Sequence, residues 1–145
     1  MMRRRRGFSL LELVLVIVVL AILAAIAIPQ FDLQPTNAAW YHEQVRSAVR
    51  YAQRAAVAQR RCVFVTVSGA QVALFYGDAS CALTATPLTQ LANGQSYALP
   101  APAGVIVGAV PGTFGFNGLG QPTSAATVTI GSRTIAVNAE TGYVQ

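Results

Sequence analysis

"GFSLLELVLVIVVLAILAAIAIP", residues 7–29, sets Glu12 just ahead of a stretch, Leu13 to Ile28, that holds no polar side chain. A charge at mid-membrane costs roughly 2.5 to 3.5 kcal/mol on insertion scales, so this carboxylate needs a reason to be there. Desolvation raises the pKa of an isolated carboxyl group and an opposite charge lowers it again. No Lys, Arg or His lies between Phe8 and Tyr41, so the segment supplies no partner of its own. Pro29 closes the run, and its missing N–H predicts a kink near Ile26 to Gln30.

Outward from this stretch, the composition limits the rest. The formal charge is +5, but four of the ten basic residues are Arg3 to Arg6; without them six arginines face five acids. A basic cluster ahead of an apolar run reads as the cytoplasmic flank of a membrane segment. The charge therefore marks orientation, not a nucleic-acid-binding domain. At 145 residues there is room for one domain with a core plus one membrane-length segment.

Three processing routes fit the N-terminus. A secretory signal would be cut after Ala27, because Ala25-Ile26-Ala27 has the small-x-small pattern. A twin-arginine signal would use Arg5-Arg6-Gly7-Phe8. The third route takes the arginines, Gly7, Phe8 and Glu12 as one device, and with these residues the chain resembles the type IV prepilin and pseudopilin superfamily. The resemblance implies cleavage between Gly7 and Phe8 by a prepilin peptidase, which also methylates the new amine. It implies that Glu12 registers an incoming subunit against the Phe8 amine of a neighbour during filament assembly, and that Pro29 is the proline pilins carry at the helix kink.

Beyond Pro29, Pro35 and Thr36-Asn37 read as a break and an N-cap. Tyr41, Val45, Ala48, Val49, Ala52, Ala55, Ala56 and Gln59 then recur at helical spacing and predict a small-residue packing face. Elsewhere on this helix Arg46, Arg50 and Arg54 stand at i, i+4 steps, where like charges repel by a few tenths of a kcal/mol per pair. They are either a solvated face, relieved by Glu43, or a contact for an acidic neighbouring subunit or DNA phosphate.

After Arg61 the period changes to that of strands. "CVFVTVSGAQVALFYGD" predicts a hairpin around Ser68-Gly69-Ala70, and "TVTIGSRTIAVN" a second around Gly131-Ser132-Arg133. Residues 83–126 read as long turns carrying two strands, in "GVIVGAV" and "GTFGFNGLGQP". The glycines of the latter lack the Lys and following helix of a phosphate loop. Its Phe-Gly turn, the hairpin and the ending "AETGYVQ" resemble the GspH/FimT-type minor pilins. "VRYAQRAAVAQRRCVFV" is similar to that group as well, including the MshC-like pilins of mannose-sensitive haemagglutinin pili. Tyr143 stands where that group often has Arg.

The expected fold is α+β: a long N-terminal helix, membrane half then amphipathic half, packed on a C-terminal antiparallel sheet. Its expected parts are a leader (1–7), a membrane or filament-core helix (8–29), an amphipathic helix (30–61) and a periplasmic β-rich domain (62–145). Cys62 and Cys81 both fall in that oxidising compartment, which favours a disulfide and leaves free thiols as the alternative. The single histidine, His42, beside Trp40 and Tyr41, reads as a surface or interface residue. No set of residues suggests a metal site, a cofactor or an acid/base pair. The implied role is a structural subunit of a type IV pilus or type II secretion pseudopilus, held in the inner membrane before assembly. A ligand-contacting tip subunit, adhesive or DNA-binding, is the alternative.

Overall fold

The computed structural model describes residues 9–27, 34–90 and 94–145. The leader with Gly7, together with Phe8 and Pro29, lies outside the described residues. The chain divides into two units, the first ending at Leu33 and the second running Gln34–Gln145.

The first unit contains α1, Leu10–Ala27. The carbonyl of Ser9 accepts from Leu13 N–H at 3.1 Å, and Glu12 sits in the first turn, where a negative charge favours the helix dipole. Its described side chains are exposed on every side, so the helix is apolar all round, as expected for one buried by lipid or by other chains. Eighteen residues span about 27 Å at 1.5 Å per residue, slightly less than a hydrocarbon core of about 30 Å. Among the described residues, no helix is long and apolar enough to cross a membrane.

The second unit opens with α2, Gln34–Gln59. It begins earlier than the expected cap at Thr36-Asn37. Pro35 lies in the first turn, where a missing N–H costs nothing because that donor has no intrahelical partner. Of the predicted packing face, Tyr41 through Ala56 are buried, and only Gln59 is exposed. The helix ends in a Schellman turn: Arg61 N–H reaches Ala56 O at 3.1 Å and Arg60 N–H reaches Val57 O at 3.3 Å. Arg60 takes the left-handed conformation there, φ 49°, a place glycine usually fills.

Among the described residues, eight strands follow. β1 (Val63–Ser68) and β2 (Gln71–Gly77) form the first expected hairpin, and β7 (Ala126–Ile130) and β8 (Arg133–Val137) the second. Gly131, φ 58°, takes the first central position of the β7–β8 turn, which a II′ hairpin reserves for glycine. β5 (Val107–Val110) and β6 (Thr113–Phe116) match the two strands expected in the long turns. β3 (Leu83–Pro87) and β4 (Ala98–Pro100) were not expected. One sheet runs β3-β2-β1-β6 with β4 also on β2; the other runs β5-β7-β8. Pairing is antiparallel throughout. The alternating residues Val63, Val65, Phe114, Phe116, Val128, Ile130 and Ile135 join the α2 face in one apolar core.

One aromatic ring fixes two glycines on the other face of the first sheet. Phe64 pairs in register with Gly115, and a Cβ on Gly115 would fall 2.6 Å from its ring, a Cβ on Gly77 2.9 Å. Gly115→Ala should therefore force Phe64 from its place and cost about 1 to 3 kcal/mol, read as a lower denaturant midpoint at unchanged m. Wild-type stability for that variant would show that the ring can yield.

Candidate interaction surface

The predicted arginine stripe does not behave as one unit. Arg46 lies 3.7 Å from Glu43, an i, i+3 pair. Arg50 turns inward and donates from Nη2 to the carbonyl of Val144 at 3.0 Å. Arg54 is exposed. So the first two arginines are engaged within the chain, and Arg50 ties α2 to the C-terminal segment, where Val144 bridges Val137 of β8 and Gln145 N–H donates to Ala136 O.

One turn of helix from Arg50 sits Gln53, which the sequence reading passed over. Its Nε2 donates to Gly120 O at 2.9 Å. A Cβ on Gly142 would lie 2.6 Å from that nitrogen and 2.6 Å from Gly120 O, and one on Gly120 would lie 2.9 Å from Val57. Both glycines have positive φ, 81° at Gly120 and 67° at Gly142. The Phe-Gly turn and the terminal Thr-Gly step, far apart in sequence, thus meet on the same turn of α2. An asparagine holds each loop: Asn117 Oδ1 accepts from Leu119 and Gln121 N–H, and Asn138 Oδ1 from Glu140 and Thr141 N–H. An Asn at the head of a Gly-containing loop is the Asx-turn signal that could have found them.

His42, expected as a surface or interface residue, is buried within the chain and so is not a surface residue. It flanks the packing face, with Nε2 3.3 Å from Thr134 O on β8 and Nδ1 3.3 Å from Glu43 Oε1, so it braces the helix against the second sheet. Tyr41 beside it donates to Leu99 O at 2.7 Å, and burial pushes its phenol above the ordinary value.

Cys62 and Cys81 are joined in a disulfide. The bridge spans the first hairpin, from the end of α2 to the loop after β2. That loop is ordered by Asp78, whose Oδ1 accepts from Ala82 N–H, Ser80 Oγ and Ser80 N–H; the Ala82 N–H and then the Ser80 hydroxyl hold its carboxyl below the usual range. Arg61 lies over the Tyr76 ring at 4.5 Å. Among the described residues, no cluster of His, Cys, Asp or Glu could hold a metal ion.

Glu12 is exposed on α1 and forms no ion pair among the described residues.

The same architecture occurs in FimU, a type IV minor pilin of Pseudomonas aeruginosa. The likeness covers 77% of this chain and 86% of that one, with TM-score 0.55 at 18% identity. A second crystal form of FimU gives TM-score 0.54 at 17% identity, over 77% and 90% of the two chains. EpsH, a minor pseudopilin of the Type 2 Secretion System of Vibrio cholerae, gives TM-score 0.57 at 8% identity, over 75% and 94%. The fold is pilin-like. At its N-terminus this pilin-like chain matches the prokaryotic N-terminal methylation motif over residues 2–28. That match contains Gly7, Phe8 and Glu12. A search of curated protein sequences finds no significant match.

Proposed function

We propose that this chain is a minor pilin or pseudopilin, a structural subunit and not an enzyme. The observation that carries the reading is the methylation motif at residues 2–28 placed ahead of a pilin-like helix-and-sheet unit. In this reading residues 1–7 are a leader, cut between Gly7 and Phe8 by a prepilin peptidase that methylates the new amine. Residues 8–29 hold the subunit in the inner membrane as a single pass, with Pro29 as the helix kink. The C-terminal unit then lies in the periplasm, the compartment in which the Cys62–Cys81 bridge would form and persist. Assembly draws the apolar helix from lipid into the core of a filament of other pilins, which explains why α1 has no polar face.

The test is the mature N-terminus. Mass spectrometry of the protein isolated from membranes should find N-methylated Phe8, and deletion of the host's prepilin peptidase should leave the leader attached. A mature chain starting at Ile28 would mean an ordinary secretory signal and would end the filament reading.

A further inference from the structure

We propose that the opening between α2 and the 117–121 turn docks an acidic, aliphatic surface of a neighbouring filament subunit, with Leu119 and Val57 as its apolar contacts and Arg54 as the charge that selects the partner. This rests on the filament-subunit reading above and goes beyond it by naming a face and the chemistry that fits it.

The opening is roughly 360 Å³, and Gln53, Arg54, Val57 and Leu119 are among its lining residues. Leu119 is 81% exposed and Val57 48% exposed. An exposed leucine at a loop tip is unremarked when the loop is loose, but this loop is tied. Asn117 Oδ1 holds the N–H groups of Leu119 and Gln121, each at 3.0 Å, and Gln53 holds Gly120 O to the helix. A loop whose backbone is already held in position loses less freedom on binding, which is how a small apolar contact on it gains affinity.

Charge selects the occupant. Among the described residues, the ion pairs all involve Glu43. Arg46 is paired there, Arg50 is bonded to Val144 and Arg61 lies over Tyr76, so Arg54 is the arginine of the stripe left for a partner. Residues 34–145 hold six arginines against Glu43, Asp78 and Glu140. A second copy would bring the same positive excess, which disfavours self-docking, and an acidic partner would relieve it. A phosphate backbone would meet one free arginine of the stripe and leave Leu119 and Val57 against charge.

The test is photo-crosslinking of the full chain in its host under conditions in which filaments form. Benzoylphenylalanine is placed at position 119 and, separately, at position 17 of α1, with adducts mapped by mass spectrometry. Position 119 should crosslink to a different pilin subunit at a peptide containing Asp or Glu. Arg54→Glu should lower that yield about tenfold and Arg54→Lys should keep most of it, with adducts at position 17 unchanged. Adducts with a second copy, with nucleic acid or with a peptide lacking a carboxylate overturn the proposal, as does a yield at 119 indifferent to Arg54→Glu. Adducts at 17 with none at 119 overturn it while leaving the filament reading intact. No subunit adducts at either position would remove both.

Discussion

Cys62→Ser/Cys81→Ser should melt the Gln34–Gln145 unit about 10 to 20 °C below the parent protein. The bridge joins cysteines 19 positions apart, and for a loop of that size the chain-entropy model gives about 3 kcal/mol; in a domain of this size each kcal/mol moves the midpoint by several degrees. The native geometry should survive the substitution, because other contacts hold the same parts. Gly77 N–H donates to Cys62 O at 2.7 Å, Asp78 orders its own loop, and Arg61 stays over Tyr76. The loss then comes from freeing the unfolded chain. Reductant should lower the parent's midpoint by the same amount and leave the double-serine variant unmoved. A shift of only a degree or two would mean that the β1–β2 hairpin persists in the unfolded state and already does the work of the crosslink.

That hairpin was legible in the sequence because two runs rich in β-branched and aromatic residues flank a glycine turn. The same holds for β7 and β8, whose inward residues Val128, Ile130, Ile135 and Val137 are all buried. β3 and β4 were not legible for a physical reason. β3 is an exposed edge strand ending in proline, and β4 has three residues, so neither has a period of its own; both exist because β2 offers them an edge. Tertiary context decided them, as it often does for strands. The packing face of α2 could be read from spacing, but spacing does not tell which of three equally spaced arginines meets a carbonyl. Arg50 turns inward because the C-terminal segment returns to β8 beneath it, a contact across 94 positions. Gln53 was missed for the same reason. Its partners Gly120 and Gly142 look like ordinary turn glycines until the helix is seen to press against both.

Glu12→Ala should leave the leader cleaved and the protein in the inner membrane, yet missing from filaments. Removing a charge from an apolar helix makes membrane residence easier, by roughly 2.5 to 3.5 kcal/mol at the bilayer centre and less near its edge. The loss of Glu12 from the first turn of α1 weakens the helix by about 0.3 to 1 kcal/mol, too little to unfold a segment whose backbone must satisfy itself in lipid. Neither local effect predicts an assembly defect. The large effect lies between chains. In the proposed filament the Phe8 amine of a neighbour is buried beside this carboxylate, and taking away one member of a buried pair costs about 3 to 5 kcal/mol because the other charge stays behind unpaired. Incorporation, read in sheared filaments or as crosslinks to other pilins, should fall by roughly two to four orders of magnitude. Glu12→Gln separates charge from shape: it retains hydrogen bonding and side-chain volume, so a defect as deep as that of alanine assigns the effect to charge. Normal incorporation of both variants would reduce Glu12 to a tolerated membrane-edge residue, and the registering contact would have to be sought among the aliphatic side chains of α1 instead.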